Sequence, residues 1–284
     1  MNGALDYMEN RYYYINEVKM RIVFVGAGNL ATNLAQALYG TGNDILQVYS
    51  RTMQSAEMLA KKVAAEPTIS LDNIVEADIY IISVKDSVLK DVIAELCKTC
   101  RNGLFVHTAG SMSVDVFKGH TERYGVLYPM QTFSKQKIVT FKNIPFFIEA
   151  NNETDKEFLH AMASGLSNNV YYLSSEARKH LHLAAVFACN FVNHCYELSA
   201  EVLDKYDIPF DVMLPLIDET VKKVHTIPPK EAQTGPAIRY DKNVISMQRE
   251  LLSDNPRIQH IYDIMSNSIH EVAGSVEKEK YNKQ

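Results

Sequence analysis

The sequence predicts an α/β protein: a doubly wound parallel sheet at the N-terminus, then an all-α C-terminal domain. Three observations carry this. Apolar strand-like runs alternate with helical patterns as far as Leu173. A Gly-x-Gly-x-x-Ala turn joins the first of those runs to the first helix. From about Ser174 the strand signals stop and helical periodicity alone continues.

The 284 residues suffice for two domains, each with its own core. The expected division is an extension over 1–19, a dinucleotide-binding domain over 20–174, and a helical substrate and dimerisation domain over 175–284. Hydrophobic residues make up 46% and charged ones 22%, which is ordinary for a globular chain. A net charge of −5 without any basic run argues against nucleic acid as a partner. No apolar run is long enough to span a membrane. The segment Met1–Lys19 is polar and Tyr-rich and lacks the apolar centre of a signal peptide. The cytoplasm is therefore the expected compartment.

The first strand is Ile22–Val25, and the helix Asn29–Tyr39 follows with Leu30, Leu34, Ala37 and Leu38 at helical spacing. Between them Gly26 takes the tight turn. Gly28 lets backbone approach a pyrophosphate, and Ala31 lets the helix pack close to the strand. The unpaired N–H groups and dipole at the helix start favour phosphate there. Gly26, Ala27, Gly28, Asn29 and Leu30 are thus the expected cofactor contacts. The second strand, Asp44–Tyr49, ends in Ser50-Arg51-Thr52. An NAD site places a carboxylate there for the ribose 2′-hydroxyl, whereas a guanidinium between two hydroxyls suits a 2′-phosphate. The expected cofactor is NADP.

Ala77–Ser83 is a buried-type strand leading into Val84-Lys85-Asp86, with Asp86 or Ser87 as N-cap of a helix over Ser87–Lys98. Gly103–His107 is the next strand and runs into Thr108-Ala109-Gly110-Ser111. Tyr124–Tyr128, Ile144–Ala150 and Val170–Leu173 complete the strands, with a helix ending near Gly165 before the last. In a parallel sheet ligands lie beyond the carboxyl ends of the strands. The loops holding Val84, Lys85, Asp86, His107 and Thr108 therefore converge with the glycine turn on one cleft.

Cys97-Lys-Thr-Cys100 sits at a helix end, where no dipole stabilises a thiolate. Cys189 and Cys195 supply no second Cys-x-x-Cys, so neither redox chemistry nor a metal is expected. Beyond Ser174 helices are expected over Ala177–Asp204, Phe210–Thr226, Asn243–Ser253 and Pro256–Val272. Pro228-Pro229 and Gly235-Pro236 punctuate them, and fraying is expected after about Gly274. The long helix carries so much small and apolar surface that a homodimer through this region is expected.

The order Gly-Ala-Gly-Asn-Leu-Ala, Ser-Arg-Thr and helical C-terminus resembles the 6-phosphogluconate-dehydrogenase-like superfamily. That superfamily includes pyrroline-5-carboxylate reductase and the deazaflavin-dependent NADP reductases. Within it the chain is similar to the group of NADP oxidoreductases that join a Rossmann-like domain to a C-terminal domain of unknown function. The matching stretches are His107–Ser111, Leu127–Phe133, His182–Phe191 and Thr234–Asp241. The resemblance implies that Thr108–Ser111 lies near the nicotinamide, with Ala109, Gly110 and Ser111 holding a small-molecule substrate in an interdomain cleft and Tyr128 walling it.

Hydroxyacid dehydrogenases of this superfamily place a catalytic Lys four residues before an Asn on the first long C-terminal helix. Asn190 matches that Asn, but Val186 stands where the Lys would be, and Val transfers no proton. His182 lies just over two turns before Asn190 on roughly the same face and titrates near neutrality. His182 and Asn190 are therefore the expected catalytic pair. Arg239 is the expected contact for an anionic substrate group, and Asp241 a cap for the helix after it. The reading is an NADP-dependent oxidoreductase. A non-catalytic NADP-binding sensor or scaffold, and hydride exchange between NADP and a deazaflavin, are the alternatives.

Overall fold

The structure, a computed structural model, describes residues 19–100 and 102–281. All but the last residue of the expected 1–19 extension lies outside them. The chain divides into two compact units, 1–190 and 191–284.

The first unit is built on one eight-stranded sheet. Its elements run β1 (Arg21–Val25), α1 (Asn29–Gly40), β2 (Asp44–Tyr49), α2 (Met53–Ala60), β3 (Glu66–Thr68), β4 (Ile79–Ile82), α3 (Asp86–Thr99) and β5 (Leu104–His107). There follow β6 (Tyr124–Pro129), β7 (Phe146–Ala150), α4 (Glu153–Ser164), β8 (Val170–Tyr172) and α5 (Ser175–Ala185). The strand order is β3-β2-β1-β4-β5-β6-β7-β8. The chain leaves β1 in one direction for β2 and returns on its other side at β4, so the order reverses at β1. That reversal opens a crevice at the carboxyl end of β1.

Period-two alternation sends Ile22 and Phe24 into one core and Val23 and Val25 into the other. Leu34 and Leu38 of α1 cover the first face, and Leu89, Ile93 and Leu96 of α3 cover the second. A central strand buried on both faces has to be apolar throughout, and this is why β1 and β4 read as continuous hydrophobic runs.

One strand was not expected, and three expectations are corrected. The three-residue strand β3, too short to carry a period, pairs parallel with the outer side of β2. The sheet is not wholly parallel: β7 runs antiparallel to β6. No crossover helix joins them, only a 3₁₀ turn at Phe141–Asn143, and a parallel return needs a longer crossover. β7 also starts at Phe146, after Pro145, rather than at Ile144. The N-cap of α3 is Lys85, without a side-chain cap bond, and Asp86 opens the helix.

The expected single helix over Ala177–Asp204 is three pieces: α5, a π-helical turn over Val186–Phe191, and α6 (Val192–Asp204). The division between units falls inside that turn, later than the expected 174/175 boundary. The shift has a physical cause, because Ser175 and Arg178 of α5 are hydrogen-bonded to the sheet unit.

The second unit is helical: α6, α7 (Leu214–Val224), the short α8 (Pro229–Ala232), α9 (Lys242–Glu250) and α10 (Pro256–Tyr281). Leu198, Leu252 and Ile258 form its core. Exposed ion pairs Lys205–Asp254 and Arg249–Asp263 link its helices at 2.7 and 3.0 Å. Asp241 caps α9 as expected, its carboxylate accepting from the Val244 N–H at 3.3 Å. Helical backbone continues to Tyr281, beyond the expected fraying point. Among the described residues no helix is long and apolar enough to cross a membrane.

Candidate functional site

Gly26 adopts φ +119°, and a Cβ there would lie 2.1 Å from the Ser83 carbonyl oxygen. Only glycine lets the β1–α1 turn pass this close to the end of β4. Gly28 differs: a Cβ on it would meet nothing within 4 Å. The protein leaves that space open in front of a helix start that no side chain caps. The first-turn N–H groups of α1 thus look into a cleft, the arrangement that binds pyrophosphate.

The same cleft is walled by Tyr49, Ser50 and Arg51 from the end of β2, and by Val84 and Lys85 from the end of β4. Arg51 is exposed and makes no ion pair or side-chain hydrogen bond among the described residues. Thr52 donates to Ser55 at 2.9 Å and so tethers the start of α2. No carboxylate lines the cleft, so nothing there repels a 2′-phosphate. The donor set fits a dinucleotide bearing that extra phosphate.

The loop after β5 carries the second half of the site. His107 is fully buried. Its Nδ1 accepts from the Ala109 N–H at 3.1 Å, and its Nε2 bonds the Ser113 carbonyl at 3.3 Å. Since a carbonyl only accepts, the ring is neutral with its proton on Nε2. Burial, reinforced by the charge of Arg178, lowers its pKa to about 3. Both ring nitrogens serve the loop, and the side chain positions the stretch expected to contact the cofactor. Thr108 is likewise buried. Ser111 donates a hydrogen bond to Asp86, tying this loop to the start of α3.

Gly110 faces a second crowded point of the site. A Cβ there would lie 2.6 Å from His182 Nδ1 and 2.9 Å from the ring of Tyr128. Tyr128, at the end of β6, is hydrogen-bonded through its hydroxyl to His182 Nδ1 at 3.0 Å. Their rings meet edge to face at 6.0 Å. Burial raises the Tyr128 pKa, so the phenol stays protonated and donates. His182 is half-buried, and its other ring nitrogen, Nε2, is not engaged by Tyr128.

The hydrogen-bond partner of His182 is Tyr128 rather than Asn190, the other expected catalytic residue. Asn190 is exposed in the π turn, and its side chain makes no hydrogen bond among the described residues. Arg239 belongs to the second unit, where with Lys230 it lines a cavity of about 860 Å³.

Sequence reasoning missed Arg178. It is completely buried, and its guanidinium holds the Glu149 carboxylate at 2.6 Å and the Met112 carbonyl at 2.6 Å. Glu149 was the available signal: a lone carboxylate in the apolar strand Phe146–Ala150 calls for a buried cation. The Cys97 thiol is pushed up to about 11 by burial, and Cys100 is also raised, so neither is a reactive thiolate. Among the described residues no cluster of three or more His, Cys, Asp or Glu could hold a metal.

Strand order, glycine turn and cleft define a dinucleotide-binding protein of the Rossmann class. Residues 21–109 match the family of coenzyme-F420-dependent NADP oxidoreductases, and residues 144–269 match DUF2520, a domain of unknown function. The crystal structure of a "putative NADP oxidoreductase" from Bacteroides fragilis is 57% identical, covers 90% of this chain and 99% of its own, and has a TM-score of 0.87. The chain belongs to this family of NADP oxidoreductases. A protein of known structure from Thermotoga maritima is 23% identical over 89% of this chain and 99% of its own, with a TM-score of 0.74. Pyrroline carboxylate reductase from Plasmodium falciparum, solved with NADP bound, is 13% identical over 88% and 98%, with a TM-score of 0.56. These last two share the fold. No curated protein sequence matches the chain.

Proposed function

We propose that the chain is an NADP-dependent oxidoreductase acting on a small molecule, with His182 as its proton donor or acceptor. The observation that carries this is the Tyr128–His182 hydrogen bond closed over Gly110, at the carboxyl edge of the sheet that also bears the glycine turn. Bound NADP supplies or receives the hydride. The chain's own residues do the rest. The N–H groups at the start of α1 would hold the pyrophosphate, with room left by Gly28. Arg51, beside Ser50 and Thr52, would hold the 2′-phosphate. Backbone and hydroxyl groups of Ala109, Gly110 and Ser111 orient the substrate. Tyr128 holds His182 in one tautomer, and Nε2 moves the proton that accompanies hydride transfer to a carbonyl or imine. Val186, at the place of the superfamily's Lys, takes no part.

Arg239, exposed and unpaired among the described residues, is the proposed contact for an anionic substrate group. Exposed apolar side chains on α7, Leu216 and Val224 among them, support a homodimer through the C-terminal helices. Four free cysteines suit the reducing cytoplasm.

Calorimetric titration with NADPH and NADH tests the cofactor half of this reading. Tight NADPH and weak NADH binding is expected. Binding of neither would overturn it. A screen of carbonyl and imine compounds, followed by nicotinamide absorbance, then tests turnover. The match of residues 21–109 to coenzyme-F420-dependent enzymes supports a second reading, hydride exchange between NADP and a deazaflavin. That exchange needs no general acid, so His182→Ala would leave it intact.

A further inference from the structure

We infer that Arg178 is a positioning residue, fixing the helix that carries His182 against the loop that carries Gly110 and so setting the Tyr128–His182 hydrogen bond. The inference rests on the proton-handling role proposed for His182.

One guanidinium joins three elements. Nη1 of Arg178 donates to Glu149 on β7 at 2.6 Å. Nη2 donates to the Met112 carbonyl, in the loop after β5, at 2.6 Å, and to Ser175 Oγ at 3.1 Å. Ser175, the first residue of α5, donates onward to Glu149 at 2.7 Å and accepts from the Val114 N–H at 2.8 Å. Loop, helix start and strand are thus locked by a planar fork that a lysine cannot reproduce.

The lock sits where a small shift matters. His182 lies one turn beyond Arg178 on the same side of α5. Gly110 lies two residues before Met112, and a single added methyl there would collide with His182 Nδ1. A shift of the loop against the helix moves the acceptor out of reach of Tyr128. Arg178 Nε, buried and without a partner, is a desolvated donor that costs stability. An apolar side chain would fill this place without that cost, but it could not hold three elements in register.

The charged and titratable groups around His182 are few. Tyr128 faces it from β6. Arg178 on its own helix is offset by Glu149. His107 on β5 is neutral, Asp86 is tied to Ser111, and Cys189 follows in the π turn.

The test is NMR of the His182 ring nitrogens in the full-length protein, in wild type, Arg178→Lys and the charge-neutral pair Arg178→Gln/Glu149→Gln. The wild type is expected to show one tautomer, with Nδ1 as acceptor. Arg178→Lys keeps the ion pair, so it is expected to fold, but it loses the fork. Both variants are expected to lose the single-tautomer signature and populate two forms. NADPH affinity should stay within about threefold, since the glycine turn is untouched. A folded variant that keeps the wild-type tautomer while losing only thermal stability would overturn the inference. Failure of the wild type to bind NADPH would sink the cofactor reading instead, and the tautomer test would still decide this one.

Discussion

At the scale of single residues, the cofactor cleft turns on side chains that are missing as much as on those present. Arg51→Ala is expected to weaken NADPH binding by about 1.5–3 kcal/mol, the value of a lost charge-assisted hydrogen bond, and NADH far less. Equal losses in calorimetry would remove Arg51 from the 2′-phosphate. Gly26→Ala sets a Cβ 2.1 Å from a backbone oxygen at a positive φ, so a stability loss of at least about 2 kcal/mol is expected in denaturant unfolding. Gly110→Ala presses instead on the imidazole of His182. It is expected to leave NADPH binding near wild type while abolishing the Tyr128–His182 bond and turnover. The glycine turn and Arg51 were legible in the sequence because their chemistry is local. His182 was legible as a candidate, but its partner was not: Tyr128 lies on a distant strand, and periodicity along the helix of His182 pointed to Asn190.

At the scale of elements, the loop from His107 to Ser113 matters most. Its anchor is a buried neutral histidine whose pKa falls from 6.5 to about 3 on folding. The unfolded chain binds the proton more readily. The stability this ring contributes is therefore complete above pH 6.5 and lost as pH falls toward 3, at up to about 1.4 kcal/mol per unit. His107→Asn, which keeps an acceptor for the Ala109 N–H, should flatten that acid slope in thermal melts. An unchanged slope would show that carboxylates elsewhere dominate. The sequence placed His107 at the end of β5 and at the crevice. It could not show that Ser113 and Ala109 consume both ring nitrogens, because burial depends on what packs over the strand. The π turn at Val186–Phe191 was equally hidden, since the apolar pattern of residues 177–204 suits a continuous helix.

At the scale of the molecule, the second unit exposes Leu216, Met247 and Leu251 at 64, 59 and 68% of their surface. So much apolar surface on one helical unit suits burial against a second copy. Sedimentation is expected to give a dimer, and Leu216→Asp to shift it toward monomer. A monomer at all concentrations would reject that assembly.

Fold class, glycine turn, cofactor preference and helical C-terminus could all be read from neighbouring residues, because turn chemistry, periodicity and end-of-strand charge act over short stretches of chain. The antiparallel β7, the Tyr128–His182 pair and the Arg178–Glu149 lock could not. Each is made by residues far apart in sequence, and its energy comes from burial and hydrogen bonding that exist only after the sheet has assembled.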